Sequence, residues 1–204
     1  MIGIVDIGLC NLRSVEKAVY SRGGDPVLVD RPEALDGIER LILPGVGSFR
    51  AASERLLASG LSDAIVRFAA GKPVLGICLG MQLLAGWGDE HGGSAGLGLI
   101  PGRVQRLEPG GSLRVPHIGW NTVELRRAHP LFARLKPQRD FYFVHSFHLV
   151  PEVASDVVAT TEHGAAFVSA VARGNVAGVQ FHPEKSQVNG MRVIEAFLDW
   201  PGGG

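Results

Sequence analysis

Short apolar runs alternate with stretches of helical periodicity through the first half of the chain. Met1–Asp6 is apolar up to its closing acid and reads as a strand. Apolar residues then recur at helical spacing over Leu12–Arg22, a helix closed by Gly23-Gly24. Pro26–Val29 and Arg40–Leu43 predict two further strands, the second ended by Pro44-Gly45. Phe49–Leu57 and Leu61–Ala70 predict helices, the latter stopped by Gly71 ahead of Pro73, and Val74–Ile77 is another short apolar strand. Strands in alternation with helices imply a parallel sheet with helices covering its faces.

The pattern changes at Gly86. Residues Gly86 to Gly98 are rich in glycine and polar groups and predict a surface excursion. Beyond them Arg103–Leu107, Thr122–Leu125, Phe141–His145, Val157–Thr161, Ala166–Arg173 and Val176–Phe181 read as strands joined by turns, several in hairpins. Asn189–Trp200 reads as a closing helix, and Pro201–Gly204 as a tail that frays. The fold class expected is therefore α/β: an open, mainly parallel sheet flanked by helices, with an antiparallel β extension. A chain of 204 residues fits one core, so a single domain over 1–204 is expected.

Composition narrows the function. Hydrophobic residues make up 46% and charged residues 20%, enough apolar mass for a full core. The formal net charge of zero argues against a dedicated nucleic-acid binder, although the excess of Arg over Lys leaves a local basic patch open. No apolar run approaches the ~20 residues that span a membrane. The opening residues lack the basic start of a signal peptide, and two cysteines do not make a disulfide framework. A reducing, cytoplasmic setting is expected.

Three segments carry candidate chemistry, each next to an apolar strand. Gly76-Ile77-Cys78-Leu79-Gly80 lies where a strand turns into a helix, and a nucleophile between two small residues there has the form of a nucleophile elbow. The helix N-terminus favours the thiolate, and its N–H groups can hold an oxyanion. By itself the pattern fits a buried structural cysteine equally well. His182-Pro183-Glu184 follows the strand Val176–Phe181, at the carboxyl edge where open α/β sheets bind ligands. A thiol nucleophile needs a base, and the base needs a third group to fix its tautomer. Glu184 points to the side of His182 if the chain stays extended. The combination predicts a triad of Cys78, His182 and Glu184. In Pro44-Gly45-Val46-Gly47 the glycines let a peptide turn its N–H inward, so Val46 and Gly47, with the Leu79 N–H, are candidate oxyanion donors. A plain turn or a phosphate loop looks similar, but no Lys-Ser/Thr follows.

With these elements in the order P-G-x-G, G-x-C-x-G-x-Q and H-P-E, the chain resembles the class I (triad) glutamine amidotransferases over nearly its whole length. The resemblance implies a flavodoxin-like sheet, hydrolysis of glutamine without a cofactor or metal, and a substrate-holding role for Gln82. From the residues alone Gln82 is an ordinary helix position. Val46 in the oxyanion strand is similar to the glutaminase subunits of imidazole glycerol phosphate synthases, of histidine biosynthesis. So are Asn11-Leu12-Arg13-Ser14-Val15, Pro116-His117-Ile118-Gly119-Trp120-Asn121, Tyr142-Phe143-Val144-His145-Ser146-Phe147 and His182-Pro183-Glu184-Lys185-Ser186-Gln187. That likeness implies a heterodimer with a synthase (cyclase) subunit built as a (β/α)8 barrel, which receives the ammonia. It implies that Ser146 and Phe147 line the glutamine pocket and that Asn11, His117, Trp120, Tyr142 and Lys185 lie at or near the docking face. Two positions depart from the family's pattern: Ile7 stands where Tyr is usual and Cys10 where Gly is usual. Cys10 is expected to be chemically dispensable.

Other signals read as scaffold. Asp89-Glu90-His91 sits in the Gly-rich stretch with no second ligand cluster and reads as solvated loop. His145 and His148, three apart, fall on opposite faces of one strand and so cannot share a metal. Three rival functions stay open at this point: a glutaminase serving another synthase, such as that of pyridoxal phosphate; a stand-alone thiol hydrolase; and a non-catalytic regulatory module.

Overall fold

Five parallel strands form one side of the main sheet, and their sequence explains why. β1 (Ile2–Val5) leads to α1 (Leu12–Ser21), β2 (Pro26–Val29) and β3 (Arg40–Gly45). Then come α2 (Phe49–Ala58), α3 (Leu61–Ala69), β4 (Val74–Cys78) and α4 (Leu79–Leu83). Next are β5 (Ala85–Gly88), β6 (Ser94–Ala95), β7 (Ile100–Arg106), β8 (His117–Thr122) and β9 (Glu124–Leu125). The chain closes with β10 (Asp140–His145), β11 (Phe147–Pro151), β12 (Val157–His163), β13 (Ala165–Arg173), β14 (Val176–Val179) and α5 (Gln187–Asp199). This is a computed structural model that describes residues 1–8, 11–110 and 113–203; Cys10 lies outside them.

The main sheet has the order β2-β1-β3-β4-β14-β13-β12-β9. Pairing is parallel from β2 through to β14 and antiparallel from β14 to β9. Successive residues of a strand face opposite sides, so apolar runs without polar alternation bury both faces. Ile2 and Ile4 pack with Val15 and Ala18 of α1 and Phe197 of α5. Val5, Leu41 and Leu43 pack on the other face with Phe49 and Leu56 of α2 and Ile65 of α3. Each such fully buried Leu or Ile contributes on the order of 2 kcal/mol, which is why these short strands persist at the centre. Among the described residues no helix is long and apolar enough to cross a membrane.

Several expectations are corrected. Gly86–Gly98 is not a simple excursion: β5 and β6 join β7 and β11 in a second sheet of order β11-β7-β5-β6. The glycines there serve close packing. A Cβ on Gly88 would lie 2.5 Å from the Phe49 ring, and one on Gly96 would lie 2.1 Å from the Ala85 carbonyl oxygen. The segment is clamped to α2 by the Glu90 carboxylate, which accepts from the Phe49 N–H, and by Ser53 Oγ donating to Ala95 O at 2.6 Å. Two further strands escaped the periodicity, β8 and β11. β8 pairs with β10 in a separate two-stranded ribbon and β11 pairs with β7. His145 and His148 consequently sit on consecutive strands of different sheets, parted by Ser146, and not on one strand. The tail is folded back as far as Gly203, whose carbonyl accepts from the Trp200 indole N–H at 3.1 Å.

Candidate active site

β3, β4 and β14 are adjacent, and their carboxyl ends carry the three chemical segments. The register pairs Gly45 with Cys78 and Val179 with Ile77, so the loop at Val46-Gly47 and the chain leading to His182 flank the cysteine. Both β3 and β4 run further than periodicity predicts, to Gly45 and Cys78. Cys78 occupies the strand-to-helix join at φ 54°, ψ −110°, a strained conformation for any residue but glycine. The turn closes only because both neighbouring small residues are glycine. A Cβ on Gly76 would lie 2.7 Å from backbone atoms of Gly80 and Met81, and one on Gly80 would lie 1.7 Å from Leu43 O.

His182 and Glu184 are both buried, with side chains 3% and 5% exposed, and His182 Nδ1 bonds Glu184 Oε1 at 2.7 Å. A carboxylate only accepts, so Nδ1 carries the proton, and Nε2 is left free to act toward Cys78. The His182 N–H donates to Tyr142 O at 2.9 Å and Ser186 Oγ donates to His182 O at 2.6 Å. The Tyr142 N–H donates to Ser186 Oγ in turn at 2.9 Å, which pins the His182 loop to β10.

Burial works to lower the pKa of His182, but hydrogen bonding and charge from Cys78 and Glu184 outweigh it and raise it to about 10. Nε2 makes no well-formed hydrogen bond among the described residues. The Cys78–His182 contact thus falls short of a well-formed hydrogen bond, of the kind that tightens when substrate arrives. Folded-state stabilisation of the imidazolium is complete below the ordinary value of 6.5 and is lost as the pH rises through about 10. We expect kcat/KM for glutamine to hold up on the alkaline side until near that value. In Glu184→Gln one of the two groups that raise the pKa is gone, so the alkaline limb should move toward neutral pH. Glutamate release followed against pH checks this; coincident limbs in the two proteins would exclude the orienting role of Glu184.

A cleft of about 710 Å³ opens beside Cys78, lined among others by Val46, Gly47, Leu79, Gln82, Ser146 and Phe147. All six pocket and oxyanion candidates thus meet at one place. Gly47 takes the left-handed conformation at φ 97°, while Val46 is not in the left-handed region. Gln82 is buried and its Nε2 donates to Phe147 O at 2.8 Å and to Gln180 Oε1 at 3.1 Å. Gln180, fully buried, directs its own Nε2 to Cys78 Sγ at 3.8 Å.

Glu90, His91 and Arg106 also line the cleft, so the stretch expected to be solvated loop puts a carboxylate on its wall. Sequence reasoning missed Glu90, Arg106 and Gln180. Gln180 lies in the bend that follows β14, so strand alternation gave no signal for it.

The docking candidates divide. Trp120 is 49% exposed, Lys185 and Asn11 are exposed, and Tyr142 is half-buried. Trp120 and Tyr142 meet edge to face at 6.2 Å, and Lys185 Nζ lies 5.9 Å from the Tyr142 ring centroid. His117 is different. It is 4% exposed, stacked on Phe143 and His163, and its Nδ1 bonds His145 Nε2 at 3.1 Å. The pleat of β8 turns Ile118 and Trp120 outward and His117 inward, so His117 offers no surface to a partner. Four histidines (117, 145, 148 and 163) gather around these rings. Among the described residues, however, no group of His, Cys, Asp and Glu is arranged to hold a metal ion.

The profile of one family, glutamine amidotransferase class-I, matches residues 4–200. The chain belongs to the class-I glutamine amidotransferases. Its curated relatives include the imidazole glycerol phosphate synthase subunit HisH of Syntrophotalea carbinolica, 45% identical over 98% of this chain and 100% of that one. The subunit of the same name from Symbiobacterium thermophilum is 48% identical over 95% of this chain and 91% of that one. Among solved structures, PurLQS from Thermotoga maritima superposes with a TM-score of 0.73 at 22% identity, over 97% of both chains, a likeness of fold. The amidotransferase fold expected from the sequence is thus the one observed.

Proposed function

We propose that this amidotransferase is the glutaminase subunit of an imidazole glycerol phosphate synthase, acting as one domain over residues 1–204. The observation that carries the reading is the meeting of Cys78 with the His182–Glu184 pair at the mouth of a cleft lined by Gln82, Ser146 and Phe147. Identity of 41–48% to subunits of that name supports it.

The chemistry follows from the parts. The Cys78 thiolate attacks the side-chain carbonyl carbon of glutamine, and the charge on its oxygen is met by the N–H groups of Val46 and Leu79, with Gly47 giving the loop its freedom to turn. His182 gives its proton to the departing nitrogen as the C–N bond breaks, leaving ammonia and a thioester. Neutral His182 then takes a proton from water, which adds to the thioester carbon. Collapse of that adduct expels the Cys78 thiolate and releases glutamate. Glu184 holds the imidazole in the tautomer that both steps need. Glu90 and Arg106 place opposite charges on the cleft walls, matching the ammonium and carboxylate at the far end of glutamine.

The ammonia is delivered to a synthase (cyclase) partner with a (β/α)8 barrel in a heterodimer. Asn11, Trp120, Tyr142 and Lys185 form the docking face, and Ile118, 60% exposed, stands on the same face of β8 as Trp120. Purification of the native chain from its own cells, followed by mass spectrometry of what comes with it, tests this reading. A barrel-type synthase subunit in equal amount is the expected result. A different synthase, or none, would replace the assignment with one of its rivals.

A further inference from the structure

The donor polarity of the buried polar groups can be followed from one end to the other. The Phe147 carbonyl oxygen can only accept, so the Gln82 side chain must present its Nε2 there, at 2.8 Å. The same Nε2 also reaches Gln180, at 3.1 Å, and there it must meet the oxygen of that amide. Gln180 Oε1 being committed, its Nε2 is the atom that faces Cys78 Sγ, at 3.8 Å. A carbonyl outside the reacting centre therefore decides which end of an amide the sulfur sees. His145 strengthens the anchor, since its Nδ1 bonds the same Phe147 oxygen at 2.9 Å.

The sulfur lies between two opposed groups. On one side the Val144 carbonyl, at 3.8 Å, can accept from a thiol S–H. On the other side Gln180 offers an N–H, which serves the thiolate. Gln180 and Gln82 are 0% and 5% exposed, so water does not compete for these bonds and their orientation is costly to reverse. We infer that Gln180 is a catalytic residue of the glutaminase: its amide, held in one orientation by Gln82 and the Phe147 carbonyl, donates a hydrogen bond to the Cys78 thiolate and so keeps the nucleophile in its reactive form.

The inference rests on Cys78 being the nucleophile, and it assigns to Gln180 a task separate from that of His182. His182 and Glu184 bring charge to the sulfur, and Glu90, His91, Arg106 and His145 are the other ionisable groups around the cleft. Gln180 carries no charge, so its effect does not depend on its own titration.

The test is Gln180→Met, close in length but without a donor. The variant and wild type are compared as whole chains in complex with the synthase partner. Loss of a hydrogen bond to a charged acceptor should lower kcat about 10- to 100-fold. Alkylation by iodoacetamide, mapped to the Cys78 peptide by mass spectrometry so that Cys10 is not counted, should need a higher pH in the variant. Should Gln180→Met not fold, Gln180→Asn withdraws the same amide by one methylene and gives the same comparison. A rise in KM with an unmoved alkylation profile would overturn the inference, because Gln180 would then serve only to hold Gln82. Glutamine hydrolysis retained in Cys78→Ala would instead remove the nucleophile assignment, a distinguishable failure.

Discussion

Replacing Cys78 with Ala should abolish glutamate release from glutamine while the complex still makes product from ammonium salts. The expected loss is on the order of 10,000-fold or more, since without the sulfur there is no covalent intermediate and His182 has nothing to activate. The second half of the result matters equally. Alanine at this position leaves the Gly76 and Gly80 contacts of the elbow in place, so the chain still folds and docks. Synthesis from free ammonia then reports on the partner alone. Glutaminase activity persisting in the variant would show that another group attacks glutamine. Loss of both activities would show that the substitution had damaged docking or folding, which circular dichroism and co-purification separate.

The isolated chain should hydrolyse glutamine slowly, and addition of the synthase partner with a nucleotide ligand should raise the rate about 100- to 1,000-fold, the worth of one oxyanion donor. The reason lies at Val46. A β-branched residue resists positive φ, and in the structure the left-handed conformation falls on Gly47 instead. A Cβ on Gly47 would meet nothing within 4 Å, so glycine is needed there for its backbone freedom and not for space. Val46 is itself 42% exposed at the rim of the cleft, where a docked partner can bias which way its peptide turns. Glutamate release by the chain alone and by the complex decides the matter. Equal rates would mean a constitutive amidase in which Val46 is incidental.

Periodicity and punctuation were enough for four of the five parallel strands. β1 to β4 and the helices between them are short apolar runs bounded by Gly and Pro, and local signals of that kind survive because both faces of each strand are buried. Cys78, His182 and Glu184 could be singled out as readily, since they stand at the ends of strands whose edge position follows from the α/β pattern. The antiparallel half was not so legible. β8 and β11 carry mixed polar and apolar residues because each is covered on one side only, and their pairing with β10 and β7 joins segments distant in sequence. The Gly-rich stretch shows the same limit: glycine signals a loop in sequence, whereas here it lets β5 and β6 approach Phe49 and Ala85 closely. What the chain determines by itself is which residues can do the chemistry and which strand each one follows. Only the tertiary structure decides that Glu90 and Arg106 line the cleft, that His117 turns inward, and that Gln180 reaches the sulfur. Those outcomes depend on strand order and on the direction of each pleat, and neither is encoded in a local run of residues.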